Sequence, residues 1–580
     1  MSKWYQQIAL DVSALPMDEP FFEKLAPIFR TRVEERSGAR VAETAEFTVS
    51  FALNRALAEE GFELRDTEGG VEISGADFNA LVFGMGRFLH ESRYNEEGMQ
   101  PSEWRGVSVP KAKLRGIYFA MHFFNWYQRC EPEEIERYIE DLMLWGVNAV
   151  FVIYPRISLT GWDDPNAEKA FVVLRKIFTA AKKMNLKTGY QSSNQDFNPP
   201  RMDIAADKSL LACKAGNLIC TSNEEGYQYL KSIIFRVLKE CAAIGVDYMS
   251  FFSYDEGGCC CEKCWPWGCN GLYNYVKRMS REIREEMLPD IKIVMATWYF
   301  GRHGGNNDPD WPGLYERIRQ DEEAGDNWLD MIMLETRNDF EGWDYVLKHG
   351  KPSERITLIT FPDIYMMGVH PWGGYGAVIA PKQMREEQMR FAHLTGGCYM
   401  YSEGIADDMN KALCTQLVWD PDVPTEKHIG DYCGYEFPGA DIEKFQKMID
   451  LIGINQTRTH IFCKEPADLD EIREARRIAE ELNEQITPTM KNSWRWRITY
   501  IRAILDDIRY TNCAADGWPF QNYVRGSQQN FFWPPYLEND DEAQKLLLEL
   551  VRIYKAFEVE DREKYYLHHA VRPPLRRIVE

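Results

Sequence analysis

The chain has 580 residues, of which 45% are hydrophobic and 27% charged, so it is long enough for two to four folded domains. Its net charge of −22 excludes nucleic acid and anionic membrane surfaces as expected partners, because both are bound through basic surfaces. No apolar run has the length of a signal-peptide core or a membrane span, so we expect a cytoplasmic protein whose 14 cysteines are reduced.

Residues 1–110 are predicted to form a small α+β domain. Runs of strand-forming residues cover 47–53, 62–64 and 71–73, and a helical pattern covers 78–91. The residue pattern does not distinguish a monomer from a homo-oligomer.

From residue 114 to about 416, one unit repeats: a short β-branched or aromatic run, a polar or Gly-rich loop, and a helical segment. The eight runs are 114–121, 148–154, 187–191, 248–254, 292–298, 330–334, 355–359 and 397–401. Eight such units predict an α/β fold, a (β/α)8 TIM barrel over residues 111–424. An open doubly wound sheet is disfavoured, because no Gly-rich phosphate turn follows the first run.

Helix signals separate these runs. Pro132 can begin one helix, and Ser222 or Asn223 can cap another. After the barrel, long helical patterns such as 469–486 and 543–557 predict a C-terminal α-helical domain over residues 425–580.

The active site of such a barrel lies at the C-terminal ends of its strands, where this sequence carries several acids. Asp255 and Glu256 follow the fourth run, and their proximity should raise the pKa of one of them. Gly257 and Gly258 would let the backbone approach a sugar. Cleavage of a glycosidic bond needs a proton donor and either a second carboxylate or the substrate's acetamido group. Asp255 and Glu256 can instead belong to a solvated loop.

Glu335 and Glu403 follow the sixth and eighth runs and are candidates for the second carboxylate. A structural role for each, in a salt bridge with a neighbour such as Arg337, is equally expected. Other side chains near the strand ends are predicted to bind substrate: His122, Asn125, Tyr154, Arg156, Gln191, Asn194, Tyr254, Trp298, Tyr299, Arg337, Asp363, His370 and Trp372.

A cluster of cysteines follows the acidic pair. Cys259, Cys261 and Cys264 have a C-x-C-x2-C spacing, and Cys269 lies five residues further on. Four thiolates can hold a structural Zn²⁺, and without a second C-x2-C motif this cluster would have to supply all four ligands. The alternative is a set of free thiols that pack the loop. No other cofactor is expected.

Several segments resemble one superfamily of glycoside hydrolases, the β-N-acetylhexosaminidases and α-glucuronidases. Val-Glu-Ile-Ser-Gly at 71–75, Leu-Val-Phe-Gly-Met-Gly-Arg-Phe-Leu at 81–89 and Leu-Arg-Gly at 114–116 resemble its small α/β domain and barrel entry. The cysteine cluster at 259–264 and Leu-Val-Trp-Asp-Pro-Asp-Val at 417–423 resemble bacterial glycosidase-like members. The similarity spans residues 47–440 by motif order.

The resemblance implies an exo-acting, retaining hydrolase of an N-acetylhexosamine-type glycoside. In the hexosaminidases an Asp-Glu pair ends the fourth strand, which implies that Glu256 is the general acid/base and that Asp255 orients the acetamido nucleophile. Trp298, Tyr299 and Trp372 would line the pocket. The glycines follow the pair here, whereas in the family His-x-Gly-Gly precedes it.

Two alternatives remain open. A uronidase-like or other exo-glycosidase would pair Glu256 with Glu335 or Glu403, and the cation for a uronic acid would come from Arg156, Arg302 or Arg337. A carbohydrate-binding barrel without turnover is the second alternative.

Overall fold

The computed structural model describes residues 3–121, 125–156, 159, 161–192, 203–209, 218–253, 257–298, 300, 309–336, 342–364, 376–458, 467–515 and 540–555. Within these ranges, no helix combines the length and apolar composition that crossing a bilayer requires.

The N-terminal region is a six-stranded sheet with two helices. Its sheet has the order β2-β1-β3-β5-β4-β8, in which β4 runs antiparallel to both of its neighbours. The six strands of this sheet are β1 Gln7–Asp11, β2 Arg40–Ala42, β3 Phe47–Leu53, β4 Phe62–Thr67, β5 Gly70–Gly75 and β8 Gly106–Ser108. A separate hairpin consists of β6 Arg93–Asn95 and β7 Gly98–Gln100, and the helices are α1 Leu25–Arg36 and α2 Phe78–Glu91. The three predicted strands and the predicted helix are therefore confirmed.

The eight predicted runs form a closed parallel barrel. Its strands are β9 Leu114–Phe119, β10 Ala149–Ile153, β11 Lys187–Ser192, β12 Tyr248–Phe251, β13 Lys292–Ala296, β14 Met331–Glu335, β15 Thr357–Phe361 and β16 Gly397–Ser402. The last strand pairs with the first, with Gly397 opposite Leu114 and Ser402 opposite Phe119. The predicted TIM barrel is confirmed.

Helices cover the barrel: α3 Trp126–Arg129, α4 Pro132–Leu144, α5 Pro165–Lys183, α6 Glu224–Cys241, α7 Tyr273–Glu286, α8 Asp310–Glu323, α9 Gly342–His349, α10 Pro381–Gln383 and α11 Asp408–Trp419. Pro132 begins α4 as predicted, and Asn223 caps α6 by accepting a hydrogen bond from the Gly226 N–H at 3.1 Å. Aromatic rings fill the interior. Phe151 stacks on Tyr399 with ring centroids 4.1 Å apart. A Cβ at Gly189 would lie 2.3 Å from the Phe151 ring, so this strand position requires glycine.

The C-terminal region is helical, with α12 Thr425–Glu436, α13 Ile442–Arg458, α14 Leu469–Gln485, α15 Pro488–Lys491, α16 Trp494–Ala515 and α17 Asp541–Ile553. The predicted helix 469–486 is α14. The helix predicted over 543–557 ends earlier than expected: α17 stops at Ile553, and residues 554–555 form a turn. Positions 556 and 557 lie outside the described residues. The boundaries at 110/111 and 424/425 stay predictions.

Candidate active site

Many predicted site residues lie outside the described residues, including the acidic pair Asp255 and Glu256. The others are His122, Asn194, Tyr254, Tyr299, Arg302, Arg337, His370 and Trp372. The candidate site is therefore built from the described side chains at the barrel mouth.

Three acids lie on three neighbouring strands at this mouth. Glu335 ends β14, Asp363 lies two residues after β15, and Glu403 directly follows β16. The register pairs Glu335 with Phe361, and a bridge joins Asp363 to Tyr401. Neighbouring strands are only about 4.8 Å apart, so the three acids share one arc of the mouth. They are 5%, 8% and 6% exposed.

Glu403 has a strongly shifted pKa. Burial raises the pKa of its carboxyl to about 8, and the carboxylates of Asp363 and Asp407 act in the same direction. The Tyr401 hydroxyl donates a hydrogen bond to Glu403 Oε1, which opposes the shift. The side chain is therefore mainly protonated at neutral pH and can donate a proton to a leaving group.

A buried ion pair supports the turn that carries Glu403. Lys411 Nζ lies 2.7 Å from Asp407 Oδ1 and donates hydrogen bonds to the Gly404 carbonyl at 2.6 Å and the Tyr138 hydroxyl at 2.8 Å. Burial raises the pKa of Asp407 to about 6, although Lys411 opposes this. Sequence spacing does not reveal the role of Lys411, because an acid and a lysine four residues apart are typical of an exposed helical pair.

An aromatic floor, defined as Tyr118, Phe252, Trp298, Phe361 and Tyr401, underlies the acids. Phe361 lies 5.7 Å from Tyr118, 5.9 Å from Tyr401 and 5.4 Å from Phe252 between ring centroids. Trp298 packs on Phe252 at 5.1 Å and stays half-buried. Flat rings of this kind stack against sugar faces. Of the five, only Trp298 was predicted to line a pocket.

Two predicted substrate-binding residues make hydrogen bonds within the fold. Asn125 caps α3: its Oδ1 accepts a hydrogen bond from the Tyr127 N–H at 3.1 Å, and its Nδ2 donates to the Ala120 carbonyl at 2.9 Å. The Tyr154 hydroxyl donates to the Ala167 carbonyl of α5 at 2.9 Å. Both polar groups therefore contact the fold, and substrate binding by Asn125 and Tyr154 stays a prediction.

Gln191 and Arg156 also have contacts within the fold. Gln191 is fully buried inside the barrel, where its Oε1 accepts a hydrogen bond from the Tyr399 hydroxyl at 3.0 Å. Arg156 donates to the Leu159 carbonyl at 3.2 Å and lies 5.5 Å from the centre of the Trp162 ring. These contacts hold Gln191 in the barrel core, and Arg156 also reaches α6 through the Tyr229 hydroxyl at 3.4 Å. Substrate binding by both residues stays a prediction.

The residues on both sides of the acidic pair contact Trp267. Its Nε1 donates a hydrogen bond to Ser253 Oγ at 3.1 Å, and a Cβ at Gly258 would lie 1.9 Å from its ring. Gly258 is thus required for packing against Trp267, and the approach of its backbone to a sugar stays a prediction. Gly257 has a φ of +71°, a value that favours glycine.

The cysteine cluster differs from its prediction in one member. The Sγ atoms of Cys220, Cys259, Cys261 and Cys264 all lie within 4.8 Å of one another, and such a buried group can hold a metal ion. Cys269 is outside this group. Its N–H donates to Asp310 Oδ1 at 2.9 Å in a π-helical turn, Trp267–Leu272, and its side chain faces Gly313. The sequence spacing missed Cys220 because it lies 41 residues before Cys261.

Comparison with family models and with curated proteins finds no match for this chain. Solved structures do match. One is a family GH115 4-O-methyl-α-glucuronidase with specificity for decorated arabinogalactans, 11% identical, with a TM-score of 0.57 over 100% of this chain and 80% of that chain. Another is a family 89 glycoside hydrolase from Clostridium perfringens in complex with 2-acetamido-1,2-dideoxynojirimycin, 14% identical, with a TM-score of 0.58 over 93% of this chain and 66% of that chain.

The same family 89 enzyme, with two glutamates changed to glutamine, also matches in complex with its substrate GlcNAc-α-1,4-galactose, at 14% identity and a TM-score of 0.57 over 91% of this chain and 65% of that chain. This chain thus spans just under two thirds of that enzyme's length. At such identities the similarity concerns the fold, and this chain has the fold of these glycoside hydrolases.

Proposed function

We propose that this chain is a glycoside hydrolase that cleaves its substrate at the barrel mouth. The observation that carries the proposal is Glu403, a buried acid with a pKa of about 8 beside Asp363 and above the aromatic floor. A protonated acid and a nearby carboxylate can carry out glycosidic cleavage, and flat rings can bind the sugar. The shared fold supports the same reaction class.

The proposed substrate is an N-acetylhexosamine-type glycoside, removed by an exo-acting, retaining mechanism. Glu256 is the proposed general acid/base and Asp255 orients the acetamido group, as the resemblance to hexosaminidases implies. The family 89 enzyme, which binds acetamido sugars, supports this substrate class by its similar fold.

The test is Glu256→Gln, assayed on an activated aryl N-acetylhexosaminide. We expect turnover to fall about 10²–10⁴-fold, because the amide cannot donate or accept the proton, while fold and ligand binding are retained. Glu262→Gln, at an exposed position of the following loop, is the matched control and should keep full turnover. An unchanged rate in Glu256→Gln would remove Glu256 from the mechanism.

A second candidate is a uronidase-like or other exo-glycosidase that pairs Glu256 with Glu403. The raised pKa of Glu403 supports it, because Glu403 would then be the proton donor and Glu256 the ionised partner. A thiazoline inhibitor separates the candidates: it mimics the acetamido-derived intermediate and should bind only in the first mechanism. A glycan panel scored for both retention and hydrolysis tests the third candidate, a binding protein without turnover.

A further inference from the structure

We propose that Cys220, Cys259, Cys261 and Cys264 together bind one structural Zn²⁺. Two of the four thiols, Cys259 and Cys264, are fully buried, and all four sulfur atoms lie within 4.8 Å of one another. This inference does not rest on the proposed function, because it concerns a site with its own ligands and its own readouts.

The sulfur separations match a metal tetrahedron. Cys220 Sγ lies 3.8 Å from Cys261 Sγ and 3.9 Å from Cys264 Sγ. With Zn–S bonds of about 2.3 Å, the sulfur atoms of a regular tetrahedron are about 3.8 Å apart. A disulfide would bring two of them to about 2.05 Å, and all four are free thiols. The geometry therefore leaves room for a central ion.

Three chain segments assemble the site through backbone hydrogen bonds. The Cys264 N–H donates to the Cys261 carbonyl at 2.9 Å, which closes the C-x2-C turn. The Cys220 N–H donates to the Ile204 carbonyl at 2.9 Å, and the Cys260 N–H donates to the Asp207 carbonyl at 2.8 Å. The segment around residues 204–207 thus joins Cys220 to the cysteine loop, so the ligands are preorganised.

Polar groups surround the sulfur atoms as they do in metal sites. The Asp207 N–H donates to Cys259 Sγ at 3.3 Å, and Ser222 Oγ lies 3.2 Å from Cys220 Sγ and 3.5 Å from Cys261 Sγ. Such donors stabilise metal-bound thiolates. An all-sulfur set favours Zn²⁺ over Mg²⁺ or Ca²⁺, and four protein ligands leave no open position for a catalytic water. Binding would release the four thiol protons.

The proposed ion would connect two loops of the barrel. Cys220 lies between β11 and α6, whereas the other three ligands lie between β12 and α7, beginning three residues after Glu256. Metal binding would add its free energy to the folding of these loops. We therefore expect zinc removal to lower the thermal stability of the whole chain.

The test measures the metal content of the full-length chain, purified without chelator, by inductively coupled plasma mass spectrometry. We expect about one zinc per chain, because four thiolates complete one site. Cys220→Ser and Cys264→Ser should lower zinc affinity by more than about tenfold. Cys269→Ser is the matched control and should keep the metal. Stoichiometric iron in place of zinc, zinc that persists in Cys220→Ser, or zinc that is also lost in Cys269→Ser would overturn the proposal.

A second measurement uses the wild-type chain, in case the serine variants do not fold. After chelation, Co²⁺ should produce thiolate-to-cobalt charge-transfer absorption, which stoichiometric Zn²⁺ then abolishes. Zn²⁺ should also protect the four cysteines from alkylation, as mapped by peptide mass spectrometry. Absence of the absorption, or equal alkylation with and without Zn²⁺, would overturn the proposal.

Discussion

Glu403 and Asp141 are both buried carboxylates, but their surroundings move their pKa values in opposite directions. Burial raises the pKa of Glu403 to about 8, and nearby carboxylates reinforce the effect. Burial also acts to raise the pKa of Asp141, but Arg32 and Arg495 hold it below its usual range. Arg32 Nε and Arg495 Nη2 donate to its two oxygens at 2.9 Å and 3.1 Å. The charged neighbours therefore decide which acid keeps its proton.

The positions of the two acids match this difference. Asp141 lies in α4, and its partners Arg32 and Arg495 come from α1 and α16, so the ion pairs join the barrel to the regions before and after it. Glu403 lies at the barrel mouth, where a protonated acid can serve chemistry. One buried acid thus serves assembly and the other is proposed to serve catalysis.

The largest expected effect is that of Glu403→Gln on activity. If Glu403 is the proton donor, as in the second candidate mechanism, turnover should fall about 10²–10⁴-fold, because the amide cannot deliver a proton. The free energy of unfolding at neutral pH should rise, because the glutamine side chain does not have to take up a proton on folding, whereas Glu403 does. The measurements are kcat/KM on the aryl glycoside and denaturant unfolding, with exposed Glu386→Gln as the control. Full activity in Glu403→Gln would place the proton donor elsewhere.

Asp141→Ala should lower the stability of the chain and leave its activity unchanged. It leaves Arg32 and Arg495 buried with less compensating charge, so the free energy of unfolding should fall by about 3–5 kcal/mol. Activity per folded molecule should stay unchanged. The control is Glu35→Gln, which breaks the exposed pair with Arg137 on the same helices and should cost less than about 1 kcal/mol. Equal costs in the two variants would contradict the role of Asp141.

Stability should depend on pH through Glu403. Between its ordinary pKa of 4.5 and about 8, the folded state keeps a proton that the unfolded state has lost. The free energy of unfolding should therefore fall as pH rises, by up to about 1.4 kcal/mol per pH unit. Glu403→Gln should remove this slope. If Glu403 is the proton donor, the activity of the unmodified chain should fall as the pH rises through about 8. Asp141 should show the opposite dependence, because its pKa is lowered in the folded state. Its contribution to the free energy of unfolding should be fully present above pH 3.8, its ordinary pKa, and should be lost as the pH falls through the folded pKa. Denaturation curves at several pH values check both signs.

The smallest expected effect is a shift of the alkaline activity limit in Asp407→Asn. Removing this carboxylate takes away a negative charge that raises the pKa of Glu403, so the pKa of Glu403 should fall. The limit should move to lower pH by less than about one unit. The control is Asp420→Asn, because Asp420 lies at the opposite end of α11 from Asp407. A shift to higher pH would show that Asp407 does not act on Glu403 by its charge.

The barrel was predictable because its signals are local. Strands buried on both faces read as continuous apolar runs, and caps such as Asn223 mark helix starts. Because these strands are apolar on both faces, the sequence does not show in which direction each side chain points. Glu335, Asp363 and Glu403 lie at the mouth, whereas Tyr154 contacts a helix and Gln191 lies in the barrel core. A run that is apolar on both faces does not indicate which face a given side chain takes.

The sequence by itself determined the number, order and type of the main elements, because periodicity and capping act between residues that are near in the chain. The tertiary structure alone decided which distant groups meet. It brought Cys220 to Cys261, placed Asp141 between Arg32 and Arg495, and set Glu403 beside Asp363. A ligand set and a pKa depend on atoms within a few ångströms, and those atoms come from segments that sequence spacing does not relate.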